Sequence, residues 1–166
     1  AWWHFVAAEE YKNRVIQLGE DPKRVFLVGG MGVDGIKKMP LLKQNKLEES
    51  IGFNFGQKNL LVTYHPVTLE NNSTEIQIQE LLKSLGELVD TKIIFTRPNS
   101  DTNGRIINKY IDNFVNNHPQ SSIAFTNMGQ KNDLSTLQFV DAVVGNSSSG
   151  LLEAPTFKIG TVNIGD

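Results

Sequence analysis

Apolar and polar positions alternate with two different periods along the chain, and this alternation predicts its secondary structure. Short apolar runs, typical of buried strands, are separated by longer amphipathic stretches with the spacing of helices. The predicted strands are Arg24–Val28, Asn59–Tyr64, Lys92–Thr96, Ser121–Thr126, Ala142–Gly145 and Gly160–Ile164. The predicted helices are Glu9–Leu18, Lys43–Ser50, Ser73–Leu85, Arg105–Phe114 and Asp133–Val140. Because strand, polar turn and helix repeat in this order, we predict an α/β fold with a parallel sheet and helices on both faces.

Polar and glycine-rich segments directly follow the predicted strands. They are Gly29–Asp34, His65–Thr68, Pro98–Thr102, Asn127–Asp133 and Asn146–Ser149. In an open, Rossmann-like parallel sheet, the carboxyl ends of the strands share one edge, and ligands bind there. We therefore expect these segments to face one crevice that holds a single nucleotide-like ligand. The first segment lacks the G-x-G-x-x-G order of dinucleotide-binding folds, so it is only a weak phosphate loop.

The segment around the last of these turns holds most of the chemical information. Three adjacent hydroxyls, Ser147, Ser148 and Ser149, stand between an apolar strand and Gly150–Glu153, a stretch that can open a helix. The first N–H groups of a helix lack partners within the helix and, together with its dipole, favour phosphate. An ordinary capped turn uses the same residue types, so anion binding and simple capping are both open alternatives here.

Two further side chains are candidates for chemistry in this crevice. Glu153 can accept hydrogen bonds from a pair of ribose hydroxyls, or it can simply support the helix dipole. His65 is the histidine that follows a predicted strand; His4 lies among the first residues and His118 in an Asn-rich segment. An imidazole beside a diphosphate can donate a hydrogen bond and help a phosphate oxygen to leave, and a structural role is the alternative. No second histidine or carboxylate has ligand spacing with His65, so we predict no metal site.

Composition argues against several classes of function. The 166 residues are 39% hydrophobic, which suits one soluble, ordered α/β domain with a sizeable core. A formal charge of −2 with dispersed Lys and Arg argues against a nucleic-acid surface. The chain has no cysteine, hence no disulfide framework or thiolate metal site, which suits a cytoplasmic protein. No apolar run approaches the ~20 residues of a membrane span, so we predict no contact with a membrane.

The two ends of the sequence lead us to expect a chain cut from a larger protein. Trp2, Trp3 and Phe5 crowd the start, where no initiator Met or signal pattern stands, and we expect them to have faced a neighbouring domain. The sequence stops just after the strand-like Gly160–Ile164, before any closing helix. We therefore interpret residues 1–8 as the remnant of an interdomain junction and 9–166 as a nucleotide-binding α/β domain that is truncated at its carboxyl end.

Several motifs occur in the order in which one enzyme family carries them. They are Glu9–Glu20, Arg24–Gly30, Thr63–Thr68, Arg97–Asp101 and Gly145–Gly150. Over nearly the whole chain they resemble the UDP-N-acetylglucosamine 2-epimerases. The segment His65–Thr68 is similar to the hydrolysing branch, which serves the synthesis of sialic acid and related nonulosonates. The resemblance implies the carboxyl-terminal half of a glycosyltransferase-B fold.

The resemblance also implies roles for individual residues. His65 would be catalytic, near the bond that breaks. The UDP-binding residues would be Ser147 and Ser148 at the diphosphate, Glu153 at the ribose, Asn99 at a phosphate or ribose group, and Met128 and Gly129 at the uracil. The implied reaction eliminates UDP from UDP-N-acetylglucosamine and adds water to the resulting 2-acetamidoglycal, giving N-acetylmannosamine and UDP, without a cofactor. The acid and base carboxylates would come from an amino-terminal domain, so we expect this chain alone to bind UDP weakly and to be inactive.

Some alternatives stay open on the sequence alone. A nucleotide-sugar glycosyltransferase of the same architecture would usually carry a second Glu eight residues from Glu153, where this chain has Gly145 and Thr161. A non-catalytic nucleotide-binding module is the other alternative. The expected partners are UDP or a UDP-N-acetylhexosamine and the amino-terminal domain of the same protein. The identity of the sugar and homo-oligomer formation are left open.

Overall fold

The computed structural model describes residues 1–66, 74–99 and 102–165. By its contacts the chain divides into two units, Ala1–Met39 and Pro40–Asp166. The predicted boundary after residue 8 concerns the domains of a longer protein and stays a prediction.

The first unit is a two-stranded sheet with helices. Its elements are β1 (His4–Val6), α1 (Glu9–Gln17), a 3-10 turn (Pro22–Arg24), β2 (Val25–Leu27) and α2 (Met31–Lys38). Strands β1 and β2 pair in parallel, with Phe5 opposite Phe26. The rings of Trp3 and Phe5 lie 5.5 and 5.6 Å from that of Phe26, and these three side chains are exposed. One face of this small sheet is therefore aromatic and uncovered within the unit.

Two elements of the first unit differ from the sequence prediction. Strand β1 was not predicted, because its aromatic residues lack the alternation of a half-buried strand. Helix α2 replaces much of the glycine-rich turn predicted at Gly29–Gly35: only its first residues turn, with Gly29 at a φ of 79°. Glycine costs a helix about 1 kcal/mol per residue, but Val33 and Ile36 are spaced for one apolar face, and Ile36 is buried.

The second unit contains a five-stranded parallel sheet, as predicted. Its elements are α3 (Gln44–Ile51), β3 (Lys58–Thr63), α4 (Thr74–Gly86), β4 (Thr91–Thr96), α5 (Thr102–Asn117), β5 (Ser122–Phe125), α6 (Gln130–Thr136), β6 (Ala142–Gly145), α7 (Ser149–Leu152), α8 (Ala154–Phe157) and β7 (Gly160–Asn163). The strands are ordered β5-β4-β3-β6-β7, and every neighbouring pair is parallel. Among the described residues, strand β2 pairs with β1 and with no strand of this sheet, so the expectation that it belongs to this sheet is wrong.

Helices cover both faces of the sheet. On one face, Val62 and Phe95 pack against α4 and α5. The helix residues of this core are Ile78, Leu82, Leu85, Ile107, Ile111 and Phe114. Successive strand residues point to opposite faces, so the buried Leu61 and Ile94 belong to the second face. The connections from β3 to β4 and from β4 to β5 move along the sheet in one direction, and the connection from β5 to β6 moves in the other. Because such connections are right-handed, this reversal places α6 on the second face. Helix α3 packs against α6.

Two helix boundaries differ from the prediction. Helix α5 begins at Thr102, the last residue of the polar segment Pro98–Thr102, and thus three residues before the predicted start at Arg105. Helix α6 begins at Gln130, earlier than the predicted Asp133–Val140, and it ends at Thr136. Gly129 precedes it with a φ of 75°, a conformation that lets the chain turn sharply into the helix. The consequence is that the first turn of α6 lies directly beside the loop after β5.

The strand order identifies where the sheet can bind a ligand. From β3 the chain proceeds to β4 and β5 on one side, and it then returns to place β6 on the other side of β3. The direction of winding therefore reverses between β3 and β6. In open parallel sheets, ligands bind outside the carboxyl ends of the strands at such a reversal. Strands β3 and β6 end together, because Thr63 is in register with Gly145.

Candidate functional site

Gly145 allows β3 and β6 to approach each other closely at their carboxyl ends. Its φ is 138°, and a Cβ atom at this position would lie 1.8 Å from the carbonyl oxygen of Thr63. No side chain fits in that space, so glycine is required here. The next residue, Asn146, donates its N–H to the same Thr63 oxygen at 3.2 Å. The residues that directly follow the two strands are therefore held side by side.

The Asn146 side chain ties these two loops together. Its Oδ1 accepts the His65 N–H at 2.7 Å, and its Nδ2 donates to the His65 carbonyl at 2.8 Å. The amide thus mimics one step of a β-ladder beyond the last backbone pair of β3 and β6. His65 is half-buried at this junction. In the sequence prediction Asn146 was part of a polar segment and had no role of its own, and its position directly after the strand-ending glycine was the available signal.

The serine loop, Asn146–Ser149, leads into a helix of a single turn. Ser147 Oγ accepts the Ser149 N–H at 3.3 Å, and the Ser147 carbonyl accepts the Gly150 N–H at 3.2 Å. Within the described residues, the N–H groups of Ser147 and Ser148 have no hydrogen-bond partner. Because α7 ends at Leu152, its dipole is small, and these two loop N–H groups are the donors that remain for an anion.

Glu153 lies between the two short helices α7 and α8. It is half-buried, and its Oε2 accepts a hydrogen bond from Ser149 Oγ at 2.5 Å. A second carboxylate, Asp133 in the first turn of α6, is near enough to interact with it. Burial raises the pKa of Asp133 above its ordinary value, and the negative charge of Glu153 raises this pKa further. The site therefore combines a loop that has two N–H groups without a partner among the described residues with two acidic side chains, and a ligand with both phosphate and hydroxyl groups suits such a combination.

The loop after β5 lines a cavity at the same edge of the sheet. This cavity measures about 180 Å³ and is lined by Thr96, Thr126, Asn127, Met128, Gly129, Gln130 and Asp133. Met128 is buried, and the Gly129 N–H is bound by Asn127 Oδ1 at 2.7 Å. A larger cavity of about 470 Å³, lined by residues such as Asp90 and Lys92, is near the amino ends of the strands, on the opposite edge.

The predicted site residues are thus placed at one edge, though not all in contact. His65 and the serine loop are joined through Asn146, and Glu153 is joined to the loop through Ser149. Met128 and Gly129 share their cavity with Asp133, which links them to Glu153 electrostatically. Asn99 follows β4 and is exposed. Of the five polar segments, Gly29–Asp34 follows β2 and so does not belong to the edge of this sheet, which corrects the sequence expectation.

Two further observations bear on the classes of function. In the described ranges 1–66, 74–99 and 102–165, no group of three or more His, Cys, Asp or Glu side chains could hold a metal ion. Across the same ranges, no helix combines the length and the apolar character that crossing a membrane requires.

Comparison with known proteins shows the family. The sequence profile described as UDP-N-acetylglucosamine 2-epimerase matches residues 1–166. A Campylobacter jejuni protein named GDP/UDP-N,N'-diacetylbacillosamine 2-epimerase (hydrolyzing) is 40% identical over 163 residues, which are 98% of this chain and 42% of that protein. A Legionella pneumophila protein named UDP-N,N'-diacetylbacillosamine 2-epimerase (hydrolyzing) is 34% identical with the same coverage. The chain therefore spans about two-fifths of the length of these curated relatives.

Solved structures show the same fold. UDP-GlcNAc 2-epimerase from Neisseria meningitidis, bound to UDP-GlcNAc, superposes with a TM-score of 0.79 at 14% identity, over 100% of this chain and 45% of that one. The wall teichoic acid polymerase TagF, a glycosyltransferase-B enzyme, superposes with a TM-score of 0.58 at 15% identity, over 96% of this chain and 38% of that one. The predicted fold is thus confirmed, and with the profile match over its whole length the chain belongs to the UDP-N-acetylglucosamine 2-epimerase family.

Proposed function

We propose that this chain is the UDP-binding part of a hydrolysing 2-epimerase that acts on a UDP-2-acetamido sugar. In the proposed reaction, UDP is eliminated to leave a 2-acetamidoglycal, and water then adds with inverted configuration at carbon 2. The products are the free epimerised sugar, N-acetylmannosamine when the substrate is UDP-N-acetylglucosamine, and UDP. The hydrolysing type is supported by the names of the relatives from Campylobacter jejuni and Legionella pneumophila.

One observation carries the proposal: His65 and the serine loop are fastened together at the point where the sheet reverses direction. The two Asn146 hydrogen bonds, 2.7 and 2.8 Å long, fix this junction. It holds the His65 backbone next to a loop that offers the N–H groups of Ser147 and Ser148, which have no hydrogen-bond partner among the described residues, and the Ser148 hydroxyl. A leaving diphosphate gains negative charge as the glycosidic bond stretches, and preorganised donors at that position stabilise the transition state more than the ground state.

The other site residues take the remaining parts of the nucleotide in this proposal. Glu153 accepts hydrogen bonds from the ribose hydroxyls, and Met128 and Gly129 line the uracil in the cavity after β5. Asn99 binds a phosphate or ribose group from the loop after β4. The cavity of about 180 Å³ accommodates a flat pyrimidine ring rather than a whole nucleotide, so the phosphates lie outside it, toward the serine loop.

The acid and base groups of the reaction are proposed to come from a further domain of the same protein. The relatives are more than twice as long as this chain, and the exposed aromatic face of Trp3, Phe5 and Phe26 suits contact with another layer of structure. The chain alone is then expected to bind UDP but not to convert a substrate. The cytoplasmic location and homo-oligomer formation stay predictions.

The substrate class is argued from the relatives and not from this chain's residues. Two relatives are named for N,N'-diacetylbacillosamine, and the family as a whole for N-acetylglucosamine. Both sugars carry the 2-acetamido group, and UDP is a nucleotide named with each of them, although the name of the Campylobacter jejuni relative includes GDP as well. We therefore propose the shared class, a UDP-2-acetamido sugar, and expect the sugar to be read mainly by the other domain.

Calorimetric titration of the 166-residue chain with UDP tests the proposal. We expect saturable binding, weaker binding of uridine, which lacks the diphosphate, and loss of UDP binding in the double variant His65→Ala, Ser148→Ala. The variant Ser84→Ala is the matched control, because this serine is exposed on α4 and bonds only within its helix. Absence of UDP binding by the chain would contradict the proposal. Release of free N-acetylmannosamine by the chain alone would contradict the placement of the acid and base groups elsewhere.

A further inference from the structure

We propose that Ser149, the third serine of the loop, is a positioning residue that holds the Glu153 carboxylate ready to bind a ribose hydroxyl. This inference rests on the proposed function, in which Glu153 meets the ribose. It assigns a task to the one serine of the three that has no part in binding the diphosphate. The substrate feature concerned is the 2′-hydroxyl, which distinguishes ribonucleotides from deoxyribonucleotides.

The geometry places Ser149 between the loop and the carboxylate. Its hydroxyl donates to Glu153 Oε2 at 2.5 Å, and its own N–H is held by Ser147 Oγ at 3.3 Å. The Glu153 backbone is fixed at both sides, because its N–H donates to the Ser149 carbonyl at 2.9 Å and its carbonyl accepts the Thr156 N–H at 2.9 Å. One carboxylate oxygen is thus anchored, and Oε1 is left as the acceptor for a ligand.

The electrostatics explain why an anchor is needed. Glu153 is half-buried and shares its surroundings with Asp133 from α6, and the interaction between them is repulsive when both are charged. A glutamate side chain has three rotatable bonds, so without a partner its carboxylate would turn away from Asp133 toward water. The Ser149 hydroxyl offsets this repulsion with a charge-assisted hydrogen bond. The orientation that results is the one from which Oε1 can accept a hydroxyl.

A purely structural role of Ser149 is the competing explanation. A hydroxyl and a carboxylate four residues apart also stabilise a single helical turn, and α7 is one turn long. The two roles differ in what they do to ligand selectivity. Loss of a structural bond weakens the binding of every nucleotide by the same factor, whereas loss of the anchor weakens only the contact with the ribose hydroxyl.

The test compares the affinities of the chain for UDP and for 2′-deoxy-UDP by calorimetry. We expect the wild-type chain to prefer UDP by about tenfold, the size of effect of one hydrogen bond to a charged group. In Ser149→Ala we expect this preference to fall to about threefold or less, while affinity for 2′-deoxy-UDP changes little. Ser149→Thr keeps the hydroxyl and is expected to retain the preference, and Ser84→Ala is the control for removal of a helical hydroxyl elsewhere.

Each outcome decides between the explanations. An unchanged preference in Ser149→Ala, or equal affinity of the wild type for the two nucleotides, would overturn the positioning role while leaving UDP binding intact. If neither nucleotide binds the wild-type chain, the proposed function fails first. Should Ser149→Ala lose its fold by circular dichroism, Ser149→Cys keeps a side chain of the same connectivity with a much weaker donor, and the same loss of preference is expected from it.

Discussion

Replacing Asn146 by alanine is the most direct perturbation of the junction between β3 and β6. The substitution removes two hydrogen bonds, to the N–H and to the carbonyl of His65, of 2.7 and 2.8 Å. A net contribution of about 1 kcal/mol for each bond gives a destabilisation of about 2 kcal/mol. His65 is half-buried, so water replaces the lost hydrogen-bond partners only in part. A measurable loss in the free energy of unfolding is therefore expected.

Chemical denaturation followed by far-ultraviolet circular dichroism is the appropriate assay. The two tryptophans, Trp2 and Trp3, are both in the first unit, whereas far-ultraviolet circular dichroism also follows the helices and strands of the unit that contains Asn146. The calorimetric titration with UDP supplies the functional readout. We expect the affinity of the folded variant to fall as well, because His65 and the serine loop are no longer held in register.

Asn54→Ala is the matched control, because Asn54 is an exposed asparagine in the same unit. Its unfolding free energy is expected to stay within about 0.5 kcal/mol of the wild type. If Asn146→Ala were equally mild, the two hydrogen bonds would contribute nothing to stability. If it lost stability but bound UDP with full affinity, the junction would be structural only, and the observation that carries the proposed function would fail.

Two further substitutions test the construction of the site. Gly145→Ala would place a methyl group on the Thr63 carbonyl, and we expect the free energy of unfolding to fall by about 3 kcal/mol or more in the same denaturation assay. Gly86→Ala is the control, because a Cβ atom there would lie 3.7 Å from its nearest neighbouring atom, and its effect should be small. Equal effects of the two substitutions would contradict the steric argument. Asp133→Asn tests the raised pKa: the folded state holds that proton more tightly than the unfolded chain, so this contribution to stability is complete below pH 3.8 and is lost as the pH rises through the folded pKa. The stability of Asp133→Asn relative to the wild type should therefore improve between about pH 3.5 and about pH 7, and a difference independent of pH would refute the raised pKa of Asp133.

The main sheet could be predicted from the sequence because its strands are apolar runs bounded by turn residues. The predicted Ala142–Gly145 coincides with β6, Lys92–Thr96 begins one residue after the start of β4, and Asn59–Tyr64 is shifted by one residue from β3 at both ends. In such segments local propensity and burial favour the same structure, so periodicity is enough. The resemblance then supplied the family, which the profile match confirms.

Where local signals conflicted with packing, the sequence prediction failed. Four glycines between Gly29 and Gly35 indicated a turn, but burial of Ile36 stabilises helix α2 over most of that stretch. The pairing of β2 with β1 instead of the main sheet depends on partners distant in the chain, which periodicity does not reveal. The contact between Ser149 and Glu153, four residues apart, and the proximity of Asp133 were also missed, because side-chain geometry decides both.

The reversal of the sheet between β3 and β6 also has a consequence for folding. Strands β3, β4 and β5 follow one another, with α4 and α5 between them in the described residues, so they can assemble through nearby contacts. The bonds between His65 and Asn146 join residues 81 positions apart, and closing so long a loop is entropically costly and slow. We therefore expect the junction of His65 and Asn146 to form last, after the β3–β5 half of the sheet. A nucleotide bound there would stabilise the finished unit and not its precursor, and it would slow unfolding without accelerating folding.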